Sequence, residues 1–540
     1  MLPHHAVACL LAAAFAAAAP AGHDRHPTVV NTTTGRYAPY LDVSQPNVAS
    51  FLDIPYAENP AGDLRFAPPV AKSYPGDEVV RATSLPAGCF QYIGPNFRGT
   101  IAENLNATLL QHGDFSNTTE DCLRLSVFAP SRAVEDATRK CGQGNHQQDK
   151  ALPVVVWIHG GGWALGGINV PFQLAPNWVE RSQEHIVVQI QYRLNLLGMP
   201  DAAGLAETGN NLNLFVLDQR LAVEWVRDNI AVFGGDPERI TLWGESAGAY
   251  SSDGFLFAYP HDPIVQAVVS DSGNAVAMGS VVTGPSDHSA FSTAAKALGC
   301  GGLDPGEELA CMRKVPASSI KRYIQADAGQ GGAIDDGAVF NAFADNVTIF
   351  TDYQRRIKEA GSDFPKHIPL LIGTNTNEGA AVVPYDFPGS ETATQLPADL
   401  EAIADFFENT LDCSTSVEVQ LRAQAGAPTY QYLYDGNFTN ISPRPWLGAY
   451  HTAELPLVFG THETYGPSSP FEKLLSEKMQ DRWLQFMKDP ANGLKAAGWP
   501  QTSAGGQRSQ IALLGARDEV EQIVDVGSLL MDCPEGSGSS

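Results

Sequence analysis

The chain has 540 residues, 44% of them apolar and 17% charged, which gives ample material for a large buried core and excludes a largely disordered chain. Its 60 acidic and 34 basic side chains leave a formal charge of -26, which opposes binding to nucleic acid or to anionic membrane surfaces. A solvated acidic surface is the plainest reading of that charge, and it leaves the substrate undefined.

In chain order, the first 22 residues carry no Asp, Glu, Lys or Arg and hold an unbroken apolar run from Ala6 to Ala19, the pattern of a secretory signal peptide. Its n-region offers His4 and His5 in place of Lys or Arg, and Ala21 is the preferred last residue, beside Pro20. The leader is therefore expected at 1–21, a single domain at 22–533 and a polar tail at 534–540. No later run reaches the ~18 to 20 apolar residues of a membrane span, and the tail lacks the hydrophobic segment of a lipid-anchor signal. The expected product is secreted and extracellular, without a stable membrane anchor.

Further along, β-rich apolar runs at 153–158, 186–192, 240–243, 265–269, 368–372 and 430–434 alternate with stretches of helical spacing, among them 214–230 and 471–487. Runs apolar enough for burial on both faces, alternating with helices, predict an α/β fold with a large, mostly parallel mixed sheet flanked by helices. In such sheets the chemistry sits at the carboxyl ends of the strands. Two of these ends carry motifs. The first strand runs into His159 and the glycines Gly160, Gly161 and Gly162, where amide N–H groups can approach a developing oxyanion without a side chain in the way. The spacing of Gly160, Gly162 and Gly166 misses the dinucleotide fingerprint by one residue, and no P-loop Lys follows, which removes the nucleotide reading. The run ending at Trp243 passes through Gly244-Glu245-Ser246-Ala247-Gly248 into a segment that can be helical, the pattern of a nucleophile elbow with Ser246 exposed at a helix start. Gly161, Gly162 and Ala247 are the expected oxyanion donors.

Sequons stand at Asn31, Asn106, Asn117, Asn346, Asn437 and Asn440. With Cys9 lost in the leader, the mature chain keeps seven cysteines, an odd number, with no CxxC pair and no Cys/His cluster; disulfides in an oxidising compartment are expected, and no metal site.

These residues resemble the type-B carboxylesterase and lipase family, which also contains the cholinesterases and catalytically silent adhesion relatives. The resemblance runs in order through FLDIPYAENPAGDLRF (51–66), EDCLRLSVF (120–128), HGGGW, DQRLAVEWV, FGGDPERITLWGESAG, SDSG and HTAELPLVFG (451–460). It implies the α/β-hydrolase fold and a triad in the chain order Ser246, Glu378, His451, with Glu378 in LLIGTNTNEG and His451 in YHTAELPLVFG; His462 is the rival for the base. It places Ser272 as a supporting serine behind the triad, pairs Cys89 with Cys122, Cys300 with Cys311 and Cys413 with Cys533, leaves Cys141 odd, and makes Arg65–Glu120 and Arg193–Asp218 buried ion pairs. The implied reaction is ester hydrolysis through an acyl-enzyme, needing no cofactor, on a small-molecule or lipid ester. A silent binding or adhesion protein is the alternative. The first disulfide loop has no Trp of the kind that receives a quaternary ammonium, and its Ile101, Leu105 and Leu109 recur at helical spacing, which suits either the apolar face of a lid or a packed surface helix. Acyl length, alcohol and oligomeric state stay open.

Overall fold

The computed structural model describes residues 28–525 except 74–75, 92–103, 105, 109–110, 112, 114–115, 144–150, 210–211, 283–286, 327–337, 339, 360–362 and 503–509. The leader, Ile101, Leu105, Leu109, the side chain of Cys141, Cys533 and the C-terminal tail lie outside the described residues.

Ten strands form the main sheet: β1 (Val48–Pro55), β2 (Arg124–Pro130), β3 (Leu152–Ile158), β4 (Ile186–Ile190), β5 (Gly235–Glu245), β6 (Ala267–Asp271), β7 (Leu370–Asn375), β8 (Thr429–Tyr434), β9 (Gln510–Leu514) and β10 (Glu521–Asp525). Their spatial order is β10-β9-β8-β7-β6-β5-β3-β4-β2-β1. All pairings from β4 through β3 and β5 to β9 are parallel, while β1–β2, β2–β4 and β9–β10 are antiparallel. This is the mixed sheet of the α/β-hydrolase fold. Register sets the functional ends level: Trp243 on β5 pairs with Trp157 on β3, and Glu245 with Asp271 on β6.

Alternation along β3 explains why the sheet is covered on both sides. Val154, Val156 and Ile158 enter one hydrophobic cluster, and Val155 and Trp157 enter another on the opposite face. Helix α1 (Leu214–Asn229) supplies Phe215, Val223 and Val226 to the first, and helix α5 (Pro470–Lys488) supplies Met479, Trp483 and Phe486 to the second. At the centre of the second cluster Trp157, Trp243 and Phe459 pack ring on ring, with centroids 4.4 to 5.1 Å apart. Helix α5 starts at a capping box in which Ser469 and Glu472 satisfy each other's backbone amides.

The apolar runs locate the central strands, with an instructive offset. The run at 265–269 becomes a strand at Ala267–Asp271, and the run at 368–372 becomes Leu370–Asn375. Both strands continue into buried polar residues, Ser270 and Asp271 in one and Thr374 and Asn375 in the other, which hydropathy reads as loop. Helix α3 (Ala398–Ala425) leaves little apolar periodicity because part of its buried face is Asp412, Glu418 and Arg422. Cys89–Cys122 and Cys300–Cys311 are bonded as the family resemblance implied, and Cys413 is disulfide-bonded too. Arg65 grips Glu120 at 2.6 and 2.8 Å, and Arg193 grips Asp218 at 2.8 and 2.7 Å, all four side chains buried.

Candidate active site

Residue 246 stands where β5 ends and helix α2 (Ala247–Ala258) begins. Ser246 has φ 56° and ψ -124°, a conformation that costs an L-residue about 1–3 kcal/mol and persists only where its surroundings impose it. They do so here: its amide donates to Asp271 O at 2.9 Å, and its carbonyl accepts from Tyr250 N at 2.9 Å. The elbow glycines are required by close approach. A Cβ at Gly244 would stand 2.2 Å from Gly248, and one at Gly248 would stand 2.0 Å from Ile158 O on β3.

Level with Ser246, the end of β3 turns through His159 into the glycine segment, where Gly161 and Gly162 have φ 102° and 61°. A Cβ on Gly160 would lie 3.1 Å from Ser246 Cβ and 2.6 Å from Glu245 Oε2, so this loop rests directly on the nucleophile turn. The amides of Gly161, Gly162 and Ala247 donate to no backbone carbonyl among the described residues. Beside them a small cleft is lined by Gly160, Gly161, Leu165, Gln173 and Glu245.

Glu378 follows β7 at the head of a short 3-10 helix, Glu378–Val382. Its Oε1 accepts from Ser272 Oγ at 2.5 Å and from Asn375 N at 2.7 Å, and its Oε2 accepts from His451 Nδ1 at 2.6 Å. Against a fully buried carboxylate that is already held by two donors, Nδ1 carries the hydrogen and Nε2 is left facing the nucleophile turn. Nε2 lies 3.0 Å from Glu245 Oε1, close enough for an ion pair but off the line of a hydrogen bond. The Phe407 ring of α3 stands edge-on to the imidazole, with centroids 5.2 Å apart. Helix α3 reaches there because the 3-10 helix carries Gly379, where a Cβ would meet Ala404 O at 2.0 Å.

Electrostatics around this imidazole are strongly acidic. Burial alone would push the pKa of His451 down, but the Glu245 and Glu378 carboxylates outweigh it and hold the pKa well above that of an ordinary histidine. Burial raises the Glu245 carboxyl, opposed by His451. Beneath the site burial pushes Asp271 up to about 7, although Trp243 Nε1 and Tyr432 OH donate to it at 2.5 and 2.8 Å. Buried Glu454 accepts from Asn375 Nδ2 at 2.6 Å and is raised by the same desolvation.

The structure thus brings together Ser246, the Gly160–Gly162 turn, Ser272, Glu378 and His451, drawn from the carboxyl ends of β3, β5, β6 and β7 and from the loop before helix α4 (Leu455–Phe459). His462 stands elsewhere, 2.6 Å from Ser468 Oγ and 3.8 Å from Glu472. Sequence reading passed over Glu245, the variable residue of the elbow motif, and Phe407 and Asn375, whose sequence surroundings carry no motif.

Known proteins match nearly the whole chain. The model of the carboxylesterase family matches residues 27–412 and 397–525. The chain is 59% identical over 513 residues to "Secreted lipase 5" of Gibberella zeae, covering 95% of each chain, and 40% identical over 466 residues to "Chlorogenic acid esterase" of Aspergillus niger, covering 86% of this chain and 83% of that one. A solved PNB esterase structure superposes with a TM-score of 0.68 at 25% identity, covering 93% of this chain and 97% of that one. A serine on a strained elbow, a buried carboxylate–imidazole pair beside it and these matches have one common reading: the chain belongs to the carboxylesterase family and is a carboxylic-ester hydrolase.

Proposed function

We propose that the protein is a secreted serine esterase of carboxylesterase or lipase type, in which Ser246, His451 and Glu378 form the triad and the reaction passes through an acyl-enzyme. The observation that carries this reading is the 2.6 Å bond between Glu378 and His451 Nδ1, which leaves Nε2 toward the turn bearing a strained Ser246. Ser246 Oγ attacks the ester carbonyl while His451 Nε2 takes its proton. Glu378, held by Ser272 and Asn375, keeps the imidazole oriented and stabilises its charged form. The amides of Gly161, Gly162 and Ala247 stabilise the oxyanion; losing one such donor costs about 100 to 1,000-fold in rate. His451 then protonates the leaving alcohol and serves as base for the water that releases the acid.

Export is supported by the name of the Gibberella zeae relative and by the leader expected at 1–21. Among the described residues no helix is long and apolar enough to cross a membrane. The relatives' names span a lipase and a chlorogenic acid esterase, so acyl length is the property to measure. The test is an organophosphate probe with mass mapping, followed by p-nitrophenyl esters of rising chain length. Labelling of Ser246 and turnover abolished in Ser246→Ala are expected; turnover that survives the substitution would overturn the assignment.

A further inference from the structure

The residue that follows the candidate base is itself strained. Thr452 has φ 84°, a region that a β-branched side chain occupies only when its neighbours impose it. Its carbonyl accepts from Leu455 N at 3.2 Å within its own turn, but the remaining contacts come from far away in sequence. Gln111 Nε2 donates to both Thr452 O and Thr452 Oγ1, at 3.3 Å each, and Thr452 Oγ1 donates to Thr108 O at 3.3 Å.

Gln111 and Thr108 belong to the loop closed by Cys89–Cys122 and are fully buried. The same loop is tied to the acid side of the site. Asn104 Nδ2 donates to Ala380 O and Val383 O at 2.8 and 2.7 Å, around the turn that Glu378 opens, and Thr108 is bonded to Asn104 O through its amide and its hydroxyl. Gln111 is in turn seated by Gln173 Nε2 on its Oε1 at 3.5 Å and by Tyr465 OH on its carbonyl at 3.3 Å.

We propose that Gln111 is a positioning residue for His451: its amide group holds the backbone of Thr452 in the left-handed conformation that aims the imidazole at Ser246 and Glu378. Among the described residues Gln111 is hydrogen-bonded to neither of them and acts through Thr452. The disulfide loop thereby braces the acid and the base against each other. This rests on His451 being the base, as read above.

The experiment measures kcat, KM and the rate of organophosphate labelling for Gln111→Ala, Gln111→Glu and the double variant Gln111→Ala with Thr452→Gly. Gln111→Glu keeps the volume and removes both donor hydrogens. Both single variants are expected to lose kcat by about tenfold or more with KM within about twofold, and labelling should slow in step, because misalignment by a fraction of an ångström penalises the transition state more than binding. Glycine takes φ 84° without a clamp, so the double variant should regain at least about threefold of the lost kcat. A purely structural role would not produce that recovery. Single variants within about threefold of the native kcat, a loss carried by KM, no recovery with glycine, or loss of the fold in both single variants would each overturn the proposal, since none is what a lost alignment does. Failure of the broader reading looks different: the native protein itself would not be labelled at Ser246.

Discussion

Gly160 offers a direct test of how tightly the glycine loop and the nucleophile turn are fitted. Adding a methyl group there puts a carbon 2.6 Å from Glu245 Oε2, 2.8 Å from Glu245 O and 3.1 Å from Ser246 Cβ. Two of these atoms belong to Glu245, which is buried on the strained elbow and wedged against His451, so the side chain has nowhere to swing. Restoring ordinary contact at about 3.4 Å requires the loop and the elbow to separate by about 0.8 Å. A displacement of about 1 Å at reacting groups costs about 100-fold, or ~2.7 kcal/mol of transition-state stabilisation. Gly160→Ala is therefore expected to lower kcat on p-nitrophenyl butyrate by about two orders of magnitude while the protein stays folded. Gly162→Ala is the comparison: its φ of 61° carries strain, but its Cβ would meet nothing within 4 Å, so its loss should be below about tenfold. A Gly160→Ala enzyme within about threefold of the native rate would refute the steric reasoning, as would an equal loss in both variants.

Three further outcomes follow from the same structure. Glu245→Gln removes a carboxylate 3.0 Å from His451 Nε2, so the imidazolium loses a partner and its pKa falls; the acid limb of kcat/KM, where the base becomes neutral, should move to lower pH, and an unmoved limb would refute the pairing. Arg65→Met leaves buried Glu120 without its fork of donors and should cost about 3–5 kcal/mol in denaturant titration; adding Glu120→Leu should recover part of it, and a double variant as unstable as the single would show that the stranded charge is not the cause. Among the sequons, Asn437 is exposed while the Asn440 amide donates to His462 O, Ser468 Oγ and Glu472 Oε1, so glycopeptide mapping should find sugar at Asn437 and bare amide at Asn440; a glycan on Asn440 would contradict those bonds.

Sequence by itself determined the parts of this protein whose physics is local. Buried strands must be apolar, so 153–158 and 430–434 announce β3 and β8 almost to the residue. A sharp strand-to-helix turn needs small residues on both sides of the nucleophile, so Gly244 and Gly248 mark Ser246. Family resemblance carried the reading across gaps that local physics could not, to Glu378, Ser272 and His451, which lie 132, 26 and 205 positions from the nucleophile and share no pattern with it. What only the tertiary structure decided is how burial and distance tune these groups. Glu245 reads in the sequence as the free position of a motif, yet folding sets it against the base; Asn375 and Asp271 read as the polar ends of strands, yet the amide of one holds Glu378 and the carbonyl of the other holds the amide of Ser246. Helix α3 brings Phe407 against His451, and the disulfide loop brings Gln111 against Thr452, from 44 and 340 positions before His451. Such contacts leave no trace in periodicity or composition, because a hydrogen bond between side chain and distant backbone constrains geometry and not the pattern of residues around it.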